Sequence, residues 1–288
     1  MSATARALSD DAAEVLATER DLVLGLGGLS IGFAGGTLTL HERIPVPRFN
    51  FAVVDRLGRE RHAEFFERAL DQYFQRALRP EFRVPRPVPE HLDAALRRFG
   101  FRPRAAPADV LLSNAGGRRA GLASPLPITV DPEAPSEAIA RRWVGSREVP
   151  ELATALDRLR FHPNPGEVTV PVEIRAGDRT VASALVYRRN GSAVLFGVSV
   201  DPASRGQGHA SALTAGILAA RPAGPARYGM ISDLPRLTER AAHWGLSCVG
   251  SMTVYLLPPE ARLELPAPGP PGPPLWRPPR RPGGSPPA

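Results

Sequence analysis

The chain of 288 residues contains no lysine and a single cysteine, Cys248. One thiol excludes a disulfide framework and any cysteine-rich zinc centre, and it fits a reducing cytoplasm. Cys248 itself reads as a small buried hydrophobe. Aromatic residues are only 6% of the chain, too few to build stacking platforms for a nucleic acid, and no long basic run is present. The six histidines are scattered and none falls in an H-E-x-x-H pattern, so no metal site is expected. Leu22 to Leu40 carries no charge and is long enough to span a bilayer, but six of its residues are glycine. Leu29, Ile31 and Phe33 alternate, as do Leu38 and Leu40 across Gly35-Gly36. Period two about a Gly-Gly turn predicts a hairpin rather than a membrane helix. Asp10, Asp11, Glu14 and Glu19 do not suit a signal peptide, and the expected location is cytoplasmic.

The residues that are present favour a folded protein with a sizeable core. Hydrophobic residues make up 43% and charged residues 23%, within the range of globular domains. The net charge of +7 comes entirely from arginine on the basic side. Abundant Arg, Ala, Gly and Pro read as compositional bias, while an anionic partner, which arginine grips bidentately, stays open. Many of the 33 prolines crowd into the last thirty residues. Residues 258–288, with a lone Trp276, therefore read as a disordered Pro-rich tail.

Between the ends, helices and strands alternate. A short helix is predicted around Ala12–Thr18, then strands at 22–33, 37–44 and 51–54, and helices at 60–78 and 89–99. A strand at 109–112 closes this half, and the Gly-, Arg- and Ser-rich stretch 116–127 suits a linker. Helices near 136–144 and 148–160 precede three strands, Val168–Arg175, Thr180–Arg188 and Ser192–Val200, with the hairpin signal Asn190-Gly191 between the last two. A glycine loop and helix (201–220), a strand (227–232), a helix (235–244) and a strand (248–257) complete the fold. Three segments repeat 145 residues apart. Leu92 to Phe101 matches Leu237 to Leu246, Leu111-Leu112 matches Leu256-Leu257, and Phe51-Ala52-Val53 matches Phe196-Gly197-Val198. A shared offset points to a duplicated unit.

The strongest local pattern is Val198-Ser199-Val200-Asp201-Pro202-Ala203-Ser204-Arg205-Gly206-Gln207-Gly208-His209-Ala210, followed by an apolar helix. Glycines let backbone N–H groups turn toward an anion, and the free amides at a helix start add partial positive charge. A dinucleotide fingerprint fits less well, because Ser211 stands where its third glycine belongs.

The run from Val198 to Leu218 resembles the acyl-CoA loop and helix of the GNAT superfamily of acetyl-CoA-dependent N-acetyltransferases. The resemblance covers roughly residues 125–257 and, through the repeat, more weakly 20–112. It implies an α/β fold of two GNAT-like domains with splayed mixed sheets flanked by helices: a degenerate domain at 1–115, the linker, and an acyl-CoA-binding domain at 128–257. It also implies that the strand containing Phe196, Val198, Ser199 and Val200 pairs with pantetheine. Arg205, Gly206, Gln207, Gly208, His209 and Ala210 would then cradle the pyrophosphate of acetyl-CoA. In the other copy the matching stretch Leu57–Ala63 has one glycine and a carboxylate. This would repel phosphate, so residues 20–112 are expected to wall the substrate side instead.

The pattern breaks at the catalytic positions. Where many members carry a tyrosine that protonates the thiolate, this chain has Ala241, and His243 is turned about 200° away on a helix. Ser192-Ala193 stands where some members have a carboxylate base, and Ile231-Ser232-Asp233 lacks a common asparagine. Glu173 as a proton relay and Tyr255 as a thiolate donor are the remaining candidates. Stripping a proton from a lysine-like amine at neutral pH costs roughly 4.6 kcal/mol, and from an α-amino group roughly 1.4. Direct attack by a weakly basic primary amine on acetyl-CoA is therefore expected. A catalytically weak or inactive CoA-binding sensor or scaffold is the alternative, and a Pro-rich interaction protein a third reading.

Overall fold

A computed structural model describes residues 8–33, 35–54, 62–113, 128–131, 133–144, 149–224 and 226–258. The stretches 57–61 and 116–127 and all but the first residue of the Pro-rich tail lie outside the described residues. The elements run α1 (Asp10–Gly25), β1 (Leu29–Phe33), β2 (Gly36–Leu40), β3 (Phe51–Val54), α2 (His62–Phe74), β4 (Glu81–Pro85), α3 (Glu90–Arg98), β5 (Arg102–Pro103) and β6 (Ala108–Ser113). The second half continues with β7 (Ile128–Val130), α4 (Ser136–Val144), α5 (Val149–Phe161), β8 (Val168–Ala176), β9 (Arg179–Arg189), β10 (Ser192–Val200), α6 (His209–Ala220), β11 (Arg227–Ser232), α7 (Pro235–Ala241) and β12 (Leu246–Leu256).

Two expectations are corrected. The first helix is longer and absorbs Leu22 and Val23, both buried and in step with Ala12, Val15 and Leu16 on one helical face. The hairpin starts only at Leu29. Cys248 is exposed, and its Sγ donates to the Gly250 carbonyl at 3.3 Å. The Asn190-Gly191 turn behaves as expected: both residues take positive φ, the conformation a tight two-residue hairpin requires. The repeat is also visible in the coordinates. Helices α3 and α7 begin 145 residues apart, and Gly100 and Gly245, at the same offset, both take left-handed backbone.

Among the described residues all twelve strands join one sheet, ordered β1-β2-β3-β4-β12-β6-β11-β10-β9-β8-β7, with β5 paired to β12. The halves exchange their last strands. β6 of the first half pairs with β11 of the second, and β12 of the second pairs with β4 of the first. β6 and β12 then pair with each other at the centre. Side chains alternate across this sheet as strand geometry requires. Val194 and Phe196 face a core with α1, α4 and α5, while Ala193 and Leu195 face α6 and α7. Helices α2 and α3 cover the first half's strands with a third cluster.

Helix α1 leaves its own half and lies over the second. Its Val15 sits so close to Gly229 of β11 that a Cβ there would meet it at 2.6 Å. Arg227 fixes that helix through Asp11 and Glu14 at 2.8 and 2.7 Å. Among the described residues no helix is long and apolar enough to cross a membrane.

Candidate active site

β10 and β11 run parallel, yet they pair only over Ser192–Val194 and Arg227–Gly229. Beyond that point β10 continues to Val200 and β11 to Ser232, and the two separate. The divergence has a local cause. The β9–β10 register shifts between Phe196 and Ser199, and Gly197 takes φ +65°. A bulge of this kind bends a strand and interrupts its ladder. Trp143 of α4 wedges against it, edge-on to the Phe196 ring at 5.0 Å. A Cβ on Gly197 would lie 2.1 Å from the indole Nε1, and that buried Nε1 finds no hydrogen-bond partner among the described residues. Gly197→Ala therefore combines a clash with disfavoured backbone. The expected loss is roughly 2–4 kcal/mol in a denaturant titration, with a change in tryptophan emission.

The split opens a cleft of about 340 Å³, a small-molecule dimension. One wall is Val194–Val198 and another is Met230–Leu234 with Leu237. Trp143 and β12 add to it, and the charged lining of the first half is Glu19, Arg48, Glu81, Arg83 and Arg104. Residues of the first half thus border the cleft.

Past the end of β10 the chain turns through Asp201, which caps a short 3-10 turn at Pro202–Ser204 by accepting from the Ala203 N–H at 2.9 Å. That bond and an ion pair with Arg179 hold the Asp201 carboxyl below the usual carboxylate range. Arg205, Gly206, Gln207 and Gly208 are exposed, and His209 and Ala210 half-buried. Gly208, at φ +83°, is the N-cap of α6 and supplies no side-chain cap. Among the described residues, none of the N–H groups from Gly206 to Ser211 donates to another protein atom. The result is an open nest of amides at the start of a helix, the arrangement that suits an anion.

The first-half wall is ionic and was not foreseen from the sequence. Arg83 is buried and lies 3.9 Å over the Phe51 ring. Its Nη1 donates to Glu19, and its Nε donates to Glu81 at 2.6 Å. Burial pulls the guanidinium pKa down, but attraction to Glu19 and Glu81 outweighs it and leaves the pKa above its ordinary value. Arg104 pairs with Asp233.

The two catalytic candidates sit elsewhere. Glu173 is buried on β8, with one oxygen accepting from Arg142 and the other from Thr180 Oγ1 at 2.7 Å. Tyr255 donates its hydroxyl to Asp93 at 2.7 Å on the α3 side of the sheet. Burial first, and the neighbouring Asp93 carboxylate, push its pKa well up. Neither residue lines the cleft. Tyr255→Phe is thus expected to leave any acyl transfer unchanged, measured as thiol release, while lowering stability by about 1 kcal/mol. Ala241 is buried, and His243 is exposed and does not line the cleft.

No known protein-family profile matches the chain, and no curated protein matches it by sequence. Its architecture does match solved structures. A GCN5-related N-acetyltransferase from Kribbella flavida superimposes with a TM-score of 0.57 at 17% identity, over 85% of this chain and 95% of that one. The fold is that of the GNAT acetyltransferases. A GCN5-related N-acetyltransferase from Sphaerobacter thermophilus gives 0.53 at 16% identity over 78% and 76%. A functionally unknown conserved protein from Staphylococcus epidermidis gives 0.56 at 12% over 81% and 94%. The first of these matches covers more of the chain than either half could supply alone, so the likeness takes in parts of both halves and not only the part that carries the glycine turn. The mixed sheet and the splay between its parallel strands agree with the fold expected from the sequence.

Proposed function

We propose that this protein is an N-acetyltransferase that moves an acetyl group from acetyl-CoA to a primary amine. The observation that carries this reading is the joining of two features at one place. β10 and β11 part beyond Val194 and Gly229, and an exposed turn of unpartnered amides, Gly206–Ser211, follows directly from the parted strand.

In this reading Arg205, Gly206, Gln207, Gly208, His209 and Ala210 hold the diphosphate. The edge of β10 from Phe196 to Val200 faces away from its β9 ladder and has no partner in β11. Its free main-chain groups hydrogen-bond the amides of the pantetheine arm through Phe196, Val198, Ser199 and Val200. A main-chain N–H on this edge polarises the thioester carbonyl, a contribution of about 3–4 kcal/mol to the transition state. The amine nitrogen attacks that carbon, the C–N bond forms, the C–S bond breaks, and the amine proton leaves to solvent. Tyr255 is bound to Asp93 and Ala241 replaces the expected tyrosine, so departure of the thiolate has no tyrosine donor.

Titration calorimetry with acetyl-CoA tests the first step, and one-to-one binding is expected. Thiol release with primary amines graded by pKa tests the second. Amines of lower pKa should react faster at neutral pH, and a sharp preference for lysine-like amines would contradict direct attack. The missing tyrosine also favours a second reading, a CoA-binding sensor or scaffold. Binding without thiol release to any amine would select it.

A further inference from the structure

We propose that the acceptor is a small amino-carboxylate, bound with its amine toward Glu19 and Glu81 and its carboxylate on Arg48. This rests on the acyl-transfer reading for its chemistry, but the binding site it describes belongs to the first half of the chain.

The Glu19–Arg83–Glu81 network holds two negative charges and one positive. Each carboxylate side chain is only 7% exposed, and both residues line the cleft. Arg83 occupies one oxygen of each. Glu19 Oε1 and Glu81 Oε2 receive no donor from the described residues, yet neither is sealed from solvent among the buried unpaired atoms. With Arg48 beside them the two carboxylates are balanced in charge, but their open acceptor oxygens suit a cationic donor such as an ammonium group whose own carboxylate takes up Arg48.

Arg48 provides the matching cation. It stands on the Pro47–Phe49 turn, exposed to solvent where it borders the cleft, and within electrostatic reach of Glu19 and Glu81. Its guanidinium lies 5.3 Å from the centroid of Phe196, on the strand assigned here to the thioester. Among the described residues no carboxylate pairs with it. The other two cations of this wall are occupied, Arg83 by Glu19 and Glu81 and Arg104 by Asp233. An unpaired planar guanidinium is a bidentate receptor for a carboxylate.

The two ends select together. A simple cationic amine would satisfy the carboxylates but meet a like charge at Arg48, and a polyanion would be repelled by Glu19 and Glu81. A zwitterion satisfies both. The cleft volume of about 340 Å³ is shared with the acyl arm, which restricts the acceptor to a small molecule.

The test uses the full chain with α-, β- and γ-amino acids, the matching amino-acid amides, and carboxylic acids without an amine. Calorimetry measures binding to the protein alone and with CoA, and thiol release measures transfer. The favoured amino acid should exceed its own amide at least about tenfold in kcat/KM and in affinity. Arg48→Met should lower the amino acid's kcat/KM about 10- to 100-fold, mainly through KM. The same substitution removes a like charge facing the amide and should keep or raise the amide's value, and it should leave the acetyl-CoA Kd within about twofold.

Equal use of acid and amide, equal loss of both in Arg48→Met, or loss of acetyl-CoA binding in that variant would overturn the proposal. Failure of the wild-type protein to bind acetyl-CoA would overturn the acyl-transfer reading instead. The amino-acid site would then stand or fall on direct binding, where the amino acid must still bind more tightly than its amide and lose that advantage in Arg48→Met.

Discussion

Charge reversal in the glycine turn, Arg205→Glu with Gly208→Asp, is expected to weaken acetyl-CoA binding at least about 100-fold, or about 2.7 kcal/mol. Arg205 is exposed and forms no ion pair with the described residues, so its replacement leaves no buried partner behind. Gly208 precedes α6 and takes a left-handed backbone, with no heavy atom within 4 Å of a Cβ placed there. Aspartate is among the few residues that visit that conformation, at a cost of roughly 1–2 kcal/mol. The substitution thus sets the protein's own carboxylate beside the anion nest. Stability should fall by no more than about 2 kcal/mol in a denaturant titration, and circular dichroism showing a parent-like fold separates lost binding from unfolding. A Kd within threefold of the parent would show that the diphosphate lies elsewhere and would remove the main support for acyl transfer.

What could be read beforehand divides along the line between local and tertiary causes. The turn at Arg205–Ala210 was legible because its glycines and the helix that follows are neighbours in sequence. The Asn190-Gly191 hairpin and the paired glycines Gly100 and Gly245 were legible for the same reason. β4 was not. Its sequence, Glu-Phe-Arg-Val-Pro, has two charges and a proline, yet all five residues are buried. Glu81, two residues away, supplies one partner of the buried Arg83, but the others, Glu19 from α1 and the Phe51 ring from β3, are not near it in sequence.

Glu19 likewise reads as a surface charge on a helix until α1 is seen crossing onto the sheet. Arg48 and Trp143 carried no signal at all. Arg48 looks like one arginine among 36 basic residues. Trp143 looks like core, whereas the structure makes it the wedge beside Gly197. The candidate site was thus visible at the glycine turn, which one stretch of sequence builds, and invisible at the ionic wall, which separate segments of the first half assemble.

The strand exchange carries the second large expectation. Expressing the chain as two pieces, cut between β6 and β7, should leave neither piece folded alone, and mixing them should restore one complex. The cut falls between Ser113 and Ile128 and interrupts no described element. In the structure β12 pairs with β4, β5 and β6, all on the far side of the cut. β6 pairs only with β11 and β12, both across it as well. Each piece would therefore carry a strand with no ladder partner, and buried backbone groups without partners are costly. The first piece would also expose the face of α1 that packs on β9 and β10, and the second would lose the partners of Arg227. Circular dichroism and heteronuclear spectra of each piece should show loss of cooperative tertiary structure, and the mixture should regain it at one-to-one stoichiometry. A second piece that folds alone and binds acetyl-CoA would show instead that β12 can return to its own half beside β11, and that the exchange is not required for the cleft.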